Sequence, residues 1–102
     1  MDKNIIDEIN LFVQKVIKIL PVKMITLYGS YARGTQGPES DIDIAVVVDD
    51  IQENWLKLNS KLFLIAAEID YKIEPNLIIL KNNTSDFLES IMKYGKIVYQ
   101  VA

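Results

Sequence analysis

The sequence lacks two residue types on which much enzyme chemistry depends. Its 102 residues include no cysteine and no histidine. These absences exclude disulfides, thiol nucleophiles, Ser-His-Asp triads and the usual His/Cys zinc sites. A metal bound by this chain must therefore be held by oxygen ligands, which favours Mg²⁺, Mn²⁺ or Ca²⁺. A general base must be a carboxylate, a lysine or a tyrosine.

Clustered positive charge and long apolar runs are also lacking. The formal net charge is −3 and the basic residues form no block, so we expect neither nucleic acid nor an anionic membrane as a partner. No apolar run approaches the roughly 20 residues that a membrane span requires. The amino-terminal stretch MDKNIIDEIN is polar and acidic, unlike a signal peptide. We therefore expect a cytoplasmic protein without a membrane anchor.

Hydrophobic periodicity predicts alternating helices and strands. A chain of this length suits one domain, and we expect residues 1–102 to form it. Helical spacing of apolar residues marks three stripes, and short apolar runs mark four strands. The helical stripes lie at 5–20, 51–69 and 87–92, and the strands at 24–28, 41–48, 73–80 and 97–101. This order predicts an α/β (α+β) fold in which helices pack against one sheet.

Polar residues and glycines predict where helices begin and end. Ser30 is expected to cap one short helical turn, which Gly34 ends. Asp49 and Asp50 offer N-caps for the long helix, because Glu53 follows Asp50 by three residues as in a capping box. Residues 82–84 are expected to form a turn and a cap, and Gly95 is expected to end the last helix.

The polar stretch between the first two predicted strands carries the clearest chemistry. It reads GSYARGTQGPESDID from Gly29 to Asp43. Asp41 and Asp43 are two residues apart, so on a strand they point to one face with Cα atoms roughly 6–7 Å apart. Carboxylates this close raise each other's pKa unless a cation lies between them. Two Mg²⁺ ions about 4 Å apart form a known arrangement for displacement at phosphorus.

Gly29 and Ser30 offer an anion-binding element beside these carboxylates. A glycine at a strand end lets a ligand approach the backbone, and amides that begin a helical turn favour anions. The Ser30 hydroxyl can donate to a phosphate oxygen. Alone, Gly-Ser is usually a helix cap and Asp-x-Asp a solvated strand start. Together and in this order, they predict a site for a nucleoside triphosphate and a divalent metal.

This stretch resembles the G-S-x-A-R-G … S-D-x-D signature of the DNA polymerase β-like nucleotidyltransferase superfamily. It is most similar to the minimal nucleotidyltransferase (MNT) proteins of prokaryotes. The resemblance implies a nucleotidyltransferase fold with a mixed sheet flanked by helices. It also implies that Gly29 and Ser30 hold the triphosphate of ATP, and that Asp41 and Asp43 bind Mg²⁺, with two ions expected.

The family uses a third carboxylate on the next core strand, as a metal ligand and to activate the acceptor hydroxyl. Glu74 is our candidate for this role, although the family more often has Asp. The alternative for Glu74 is a solvated residue at the strand start. Asp70 is a weaker candidate, expected at a helix end or in a loop. Pro75 lacks a ladder donor and is expected near the strand start or on an edge.

The other candidate residues have two interpretations each. Arg33, the single arginine, is expected either to contact phosphate or to form a structural ion pair. Ser40 is a nucleotide-binding candidate whose simplest role is a local hydrogen bond before the second strand. The aromatic residues Tyr28, Tyr31 and Trp55 could stack on a base, but packing is the favoured interpretation.

The acceptor is expected on another molecule or subunit. Larger members of the superfamily carry an extra helical domain that holds the acceptor, and this sequence shows none. By resemblance, the leading hypothesis is an antitoxin that transfers AMP from ATP to a tyrosine of a HEPN-type toxin ribonuclease. The alternatives are a non-catalytic antitoxin that covers its partner, and transfer to a small molecule. Apolar residues that the core does not use predict a homo- or hetero-oligomer.

Overall fold

A computed structural model describes residues 2–82 and 86–101 as four helices around one four-stranded sheet. The sheet order is β3-β2-β1-β4, with β2 and β3 parallel and the other neighbours antiparallel. This mixed sheet with flanking helices confirms the predicted α/β (α+β) fold class. The elements are α1 Lys3–Ile17, β1 Val22–Tyr28, α2 Gly29–Arg33, β2 Ile42–Val48, α3 Trp55–Ile69, β3 Ile73–Ile79, α4 Asp86–Tyr94 and β4 Lys96–Gln100. No helix in these described ranges is long and apolar enough to cross a membrane.

The two faces of the sheet are covered to different extents. On the first face, alternate strand residues pack under α1 and α3 and form the larger core. On the second face, a smaller core lies under α4, which is only nine residues long. The second core consists of Met24, Ala45, Val47, Ile78 and Ile91. Because α4 is short, part of the second face stays accessible.

Side chains of α3 close the free edge of β3. The Asn59 Oδ1 accepts from the Leu77 backbone N–H at 3.1 Å, and the Trp55 indole N–H donates to the Leu77 carbonyl at 2.8 Å. Trp55 and Asn59 are one helical turn apart, so both reach the same strand position. Pro75 lies two residues before Leu77 on this edge, where its missing N–H costs no ladder bond. The predicted edge position of Pro75 is confirmed.

The predicted beginning of the long helix is wrong by several residues. Helix α3 begins at Trp55, and the Asn54 side chain caps its first turn. The N-caps predicted at Asp49 and Asp50 are therefore incorrect. Asp50 instead forms an exposed ion pair with Lys81 at 3.3 Å, an interaction between residues 31 apart that local pattern cannot show.

The short helix α2 confirms one predicted boundary and corrects another. Tyr28 is its N-cap residue without a side-chain hydrogen bond, so the cap predicted at Ser30 is wrong. Gly34 ends α2 in the left-handed conformation with φ of 72°, as predicted. Asp41 lies one residue before β2 rather than inside it.

Other element ends differ from prediction by one to three residues, and the largest difference is in α1, which ends at Ile17 rather than at residue 20. Strand β1 already begins at Val22, and β4 ends at Gln100. Gly95 follows α4 as predicted, and its N–H donates to the Ile91 carbonyl at 2.8 Å. Of the turn and cap predicted at 82–84, residues 83 and 84 lie outside the described residues.

Candidate functional site

Three strands bring polar residues together at one corner of the second face. Tyr28 at the end of β1 is opposite Asp43 near the start of antiparallel β2. Asp43 is in turn opposite Glu74 near the start of parallel β3. Residues in register on adjacent strands point to the same face, so these side chains form a row across the sheet. We call the three carboxylates Asp41, Asp43 and Glu74 the acidic corner.

Gly29 brings the backbone directly against the acidic corner. Its φ of 72° lies in the left-handed region that favours glycine. A Cβ at Gly29 would overlap the Asp43 Oδ2 atom and lie 3.1 Å from the Asp43 Cγ. Both the backbone conformation and the contact with Asp43 therefore require glycine here.

The other predicted site residues border this contact. Ser30 is the half-buried second residue of α2, and Arg33 is its exposed last residue. Among the described residues, no salt bridge includes Arg33, although its charge acts to lower the Asp43 pKa. The Ser40 Oγ accepts from the Gly37 N–H at 2.8 Å, which confirms the predicted local hydrogen bond.

The carboxylates of the acidic corner crowd one another in pairs. A hydrogen bond with the Asp41 carboxyl, together with desolvation, raises the pKa of Glu74 above its usual value. Desolvation raises the pKa of Asp43, and the nearby Asp41 charge adds to this rise while Arg33 opposes it. Like charges at such short range are relieved by a shared proton or by a cation.

The chemistry of the acidic corner fits a hard divalent cation, because all three donors are carboxylates. Over residues 2–82 and 86–101, no three potential ligands already converge on one metal position. The carboxylates approach pairwise instead, with Asp41 close to both Glu74 and Asp43. The assignment of all three residues as Mg²⁺ ligands stays a prediction.

Residues that the sequence analysis did not assign to the site also border the acidic corner. Desolvation raises the pKa of Tyr28, and a hydrogen bond with the Asn76 side chain opposes this rise. The Phe87 ring meets the Tyr28 ring edge to face, with centroids 5.6 Å apart. Asn76 could have been inferred, since it is two residues after Glu74 on one strand face. The approach of Phe87 depends on how α4 packs, which no local pattern reveals.

Comparison with known proteins identifies the family of the chain. Residues 9–101 match the family described as polymerase beta, nucleotidyltransferase. The chain belongs to this nucleotidyltransferase family. The motif-based resemblance and the predicted enzyme class are thereby confirmed.

Named relatives of this nucleotidyltransferase include protein adenylyltransferases. Protein adenylyltransferase MntA of Shewanella oneidensis is 34% identical over 90 residues, which cover 80% of this chain and 60% of MntA. A candidate protein adenylyltransferase of Methanocaldococcus jannaschii, MJ0141, is 33% identical over 97 residues, which cover 89% of this chain and 95% of MJ0141.

Solved structures with the same fold include chains of toxin–antitoxin complexes. A toxin–antitoxin crystal structure with AMP-PNP contains a chain of 28% identity with a TM-score of 0.64, covering 93% of this chain and 73% of that one. A complex of tri-AMPylated Shewanella oneidensis HEPN toxin with MNT antitoxin matches at 26% identity and a TM-score of 0.55, covering 90% of this chain and 72% of that one.

Proposed function

We propose that this nucleotidyltransferase is an antitoxin that transfers AMP from ATP to a tyrosine hydroxyl of a HEPN-type toxin, with Mg²⁺ as cofactor. The observation that carries the proposal is the meeting of Gly29, Asp41, Asp43 and Glu74 at one corner of the sheet. The protein adenylyltransferase names of its relatives and the HEPN toxin complexes among its structural neighbours support the choice of reaction and partner.

The triphosphate would lie at the start of α2. Gly29 has no side chain to block close approach, and the Ser30 hydroxyl and amide can donate to phosphate oxygens. Arg33, exposed at the end of α2 and not engaged in any described salt bridge, is available to contact phosphate. Ser40 contributes by ordering the loop that leads to Asp41.

Transfer would proceed by in-line displacement at the α-phosphorus. The acceptor oxygen forms a bond to phosphorus, and the bond from that phosphorus to the oxygen of the β-phosphate breaks, so pyrophosphate leaves. Glu74 accepts the proton of the acceptor hydroxyl. Mg²⁺, held by Asp41, Asp43 and Glu74, would neutralise negative charge on the phosphate oxygens.

The test is AMP transfer to a co-purified HEPN-type partner in the presence of Mg²⁺ and α-labelled ATP. We expect label on the partner, at a tyrosine located by mass spectrometry. Asp43→Asn should abolish the label, because it removes a negative carboxylate while keeping the side-chain size. An unmodified partner, or undiminished transfer by Asp43→Asn, would contradict the proposal.

A second candidate function is a non-catalytic antitoxin that neutralises its partner by contact alone. It is favoured by one observation: over the described residues, no three ligands converge on a metal position. Titration of toxin activity separates the two functions. Inhibition at substoichiometric amounts that requires ATP supports transfer, whereas one-to-one inhibition without ATP supports contact.

Other expectations from the sequence stay predictions beside the proposed reaction. A requirement for ATP agrees with the cytoplasmic location expected from the sequence. Of the expected homo- or hetero-oligomer, a protein acceptor favours the hetero-oligomer, and it agrees with the absence of a basic block for nucleic acid. A single domain over residues 1–102 also stays a prediction.

A further inference from the structure

The direction of the reaction restricts where the acceptor can lie. In-line displacement places the leaving and attacking oxygens on opposite sides of phosphorus. Gly29 follows the end of β1, Asp43 lies on β2 and Glu74 on β3, so these three residues follow one another across adjacent strands. If the triphosphate occupies the start of α2, the attacking oxygen must arrive from the β3 side. This step rests on the proposed function.

A groove of about 350 Å³ lies on that side of the acidic corner. It is bordered by Asn76, which follows Glu74 by two residues and points to the same sheet face. Two strand residues span roughly 6–7 Å. That separation is comparable to the length of a tyrosine side chain. We call this cavity the acceptor groove; its lining includes Trp55, Asn76, Leu77, Ile78, Asn82 and Phe87.

Two aromatic residues of the acceptor groove are held in place yet exposed. Trp55 is 40% exposed and Phe87 is 42% exposed. The Trp55 indole N–H already donates to the Leu77 carbonyl, so its ring is oriented and offers mainly apolar surface. Phe87 is oriented by its edge-to-face contact with Tyr28. Rigid aromatic surfaces bind partners with a small loss of conformational entropy.

The charges in and beside the acceptor groove indicate which class of ligand it binds. No charged residue is among the described residues that line the acceptor groove, whereas the acidic corner next to it carries three carboxylates. Among the described lining residues there is no lysine or arginine, so the groove offers a phosphate group no cationic partner. An uncharged aromatic side chain needs no such partner and would stack on Trp55 or Phe87.

We propose that the acceptor groove binds the tyrosine-bearing segment of the acceptor protein. The tyrosine hydroxyl lies at Glu74, and its ring and neighbouring residues lie between Trp55 and Phe87. Asn76 and Asn82 contribute side-chain amides to the groove lining, and the Asn76 amide also forms a hydrogen bond with the Tyr28 side chain. Trp55 and Phe87 are therefore positioning residues for the acceptor and make no contact with the nucleotide.

The test is steady-state AMP transfer from ATP to the co-purified HEPN-type partner by Trp55→Ala and Phe87→Ala. We expect KM for the partner to rise about tenfold in each variant, since each loses one aromatic contact with the acceptor segment. Both kcat and KM for ATP should stay within about twofold of wild type. Matched controls are Leu56→Ala, next to Trp55, and Met92→Ala, also on α4; both remove exposed apolar side chains outside the groove and should behave as wild type.

A second measurement, made on the wild-type protein, tests the groove even if Trp55→Ala does not fold. Trp55 is the single tryptophan, so the fluorescence of wild-type protein reports directly on the groove. A synthetic peptide without tryptophan that contains the acceptor tyrosine of the partner, before AMP transfer, should change this emission. ATP with Mg²⁺ should not change it. Unchanged KM for the partner in folded Phe87→Ala, or a rise in KM for ATP, would overturn the groove assignment alone. No transfer by the wild-type chain would overturn both this inference and the proposed function.

Discussion

The two faces of the sheet differ in how they use their residues. Of the described residues, twenty buried apolar side chains form the core of the first face, under two 15-residue helices. Five form the core of the second face, under one nine-residue helix. Carboxylates under a complete helical layer would lose their hydration at a large cost in free energy. Tight packing on the first face therefore allows the second face to leave the acidic corner open.

Truncation of a side chain in the larger core, on the first face, should lower the free energy of unfolding most. Phe12 on α1 is fully buried, so we expect Phe12→Ala to lower the free energy of unfolding by about 3–5 kcal/mol. Leu11→Ala, which truncates an exposed neighbour on the same helix, should cost under about 1 kcal/mol. Denaturant unfolding monitored by circular dichroism measures both values. Equal losses in the two variants would mean that the first face does not dominate stability.

Gly29→Ala should disrupt the acidic corner on the second face. The new Cβ would overlap the Asp43 carboxylate, so AMP transfer should fall about 100-fold or more through displacement of that group. Gly34→Ala is a matched control, because Gly34 has the same φ of 72° but no atom within 4 Å of the added Cβ.

Both glycine variants should lose about 1–2 kcal/mol of stability from the left-handed backbone. Only Gly29→Ala should lose transfer, as measured with α-labelled ATP at saturating partner. A similar loss of transfer in Gly34→Ala would show that backbone strain, rather than the contact with Asp43, explains the effect.

Helix α3 covers the first face and also supplies the side chains that close the edge of β3. Asn59→Ala leaves the Leu77 N–H without its acceptor, so we expect a loss of about 1–3 kcal/mol in the free energy of unfolding. Ser60→Ala removes an exposed hydroxyl that donates to the Leu56 carbonyl within the same helix. We expect it to lower the free energy of unfolding by only about a few tenths of the loss in Asn59→Ala. Thermal unfolding of the two variants tests this difference. Equal unfolding midpoints would show that the hydrogen bond of Asn59 with Leu77 does not stabilise the fold.

A pair of acidic residues on the first face predicts a dependence of stability on pH. The Glu8 Oε2 is buried with no hydrogen-bond donor among the described residues, and its neighbour is the Asp70 carboxyl. A hydrogen bond with Asp70, helped by desolvation, raises the pKa of Glu8 from 4.5 to about 7. The same hydrogen bond lowers the pKa of Asp70, so one proton held on Glu8 satisfies the pair.

The folded chain keeps this Glu8 proton at pH values where the unfolded chain has released it. The contribution of Glu8 is therefore complete below pH 4.5 and is lost as pH rises through about 7. The lowered pKa of Asp70 acts in the opposite direction, but only as pH falls below its usual 3.8.

Between about pH 5 and about pH 8, wild type should lose about 1 kcal/mol of stability after allowance for solvent screening. Glu8→Gln, which supplies a permanent donor, should remove this slope, and Asp7→Asn on the exposed side of α1 should preserve it. Urea unfolding across this range gives the slopes, and the same slope in Glu8→Gln would refute the shared proton.

Local signals were sufficient to predict the order of the elements and the core of the site. Gly29, Gly34 and the Asp41–Asp43 pair lie within one short stretch, where φ preference and strand alternation act between near neighbours. Asp70 was correctly expected at a helix end, since it is the C-cap residue of α3. These features depend on chemistry that the sequence displays directly.

Features that depend on distant contacts could not be predicted. The N-cap of α3 was misassigned because Asp50 and Asn54 are equally good cap residues, and the ion pair of Asp50 with Lys81, 31 residues away, has no local signal. The contacts of Trp55 and Asn59 with Leu77 require β3 to be an edge strand, and although Pro75 favours an edge, no local pattern shows which side chains of α3 reach it. For the same reason, the acceptor groove has no signature in the sequence.

The closed edge of β3 also sets a limit on assembly by strand addition. Trp55 and Asn59 occupy the hydrogen-bonding groups of Leu77, and Pro75 offers no donor, so this edge does not accept another strand in register. Among the described residues, β4 has a strand neighbour only on its β1 side. Two copies joined through β4 would expose closed edges at both ends. We therefore expect assembly by strand addition to stop at two copies, because Leu77 and Pro75 offer a third copy no free donor.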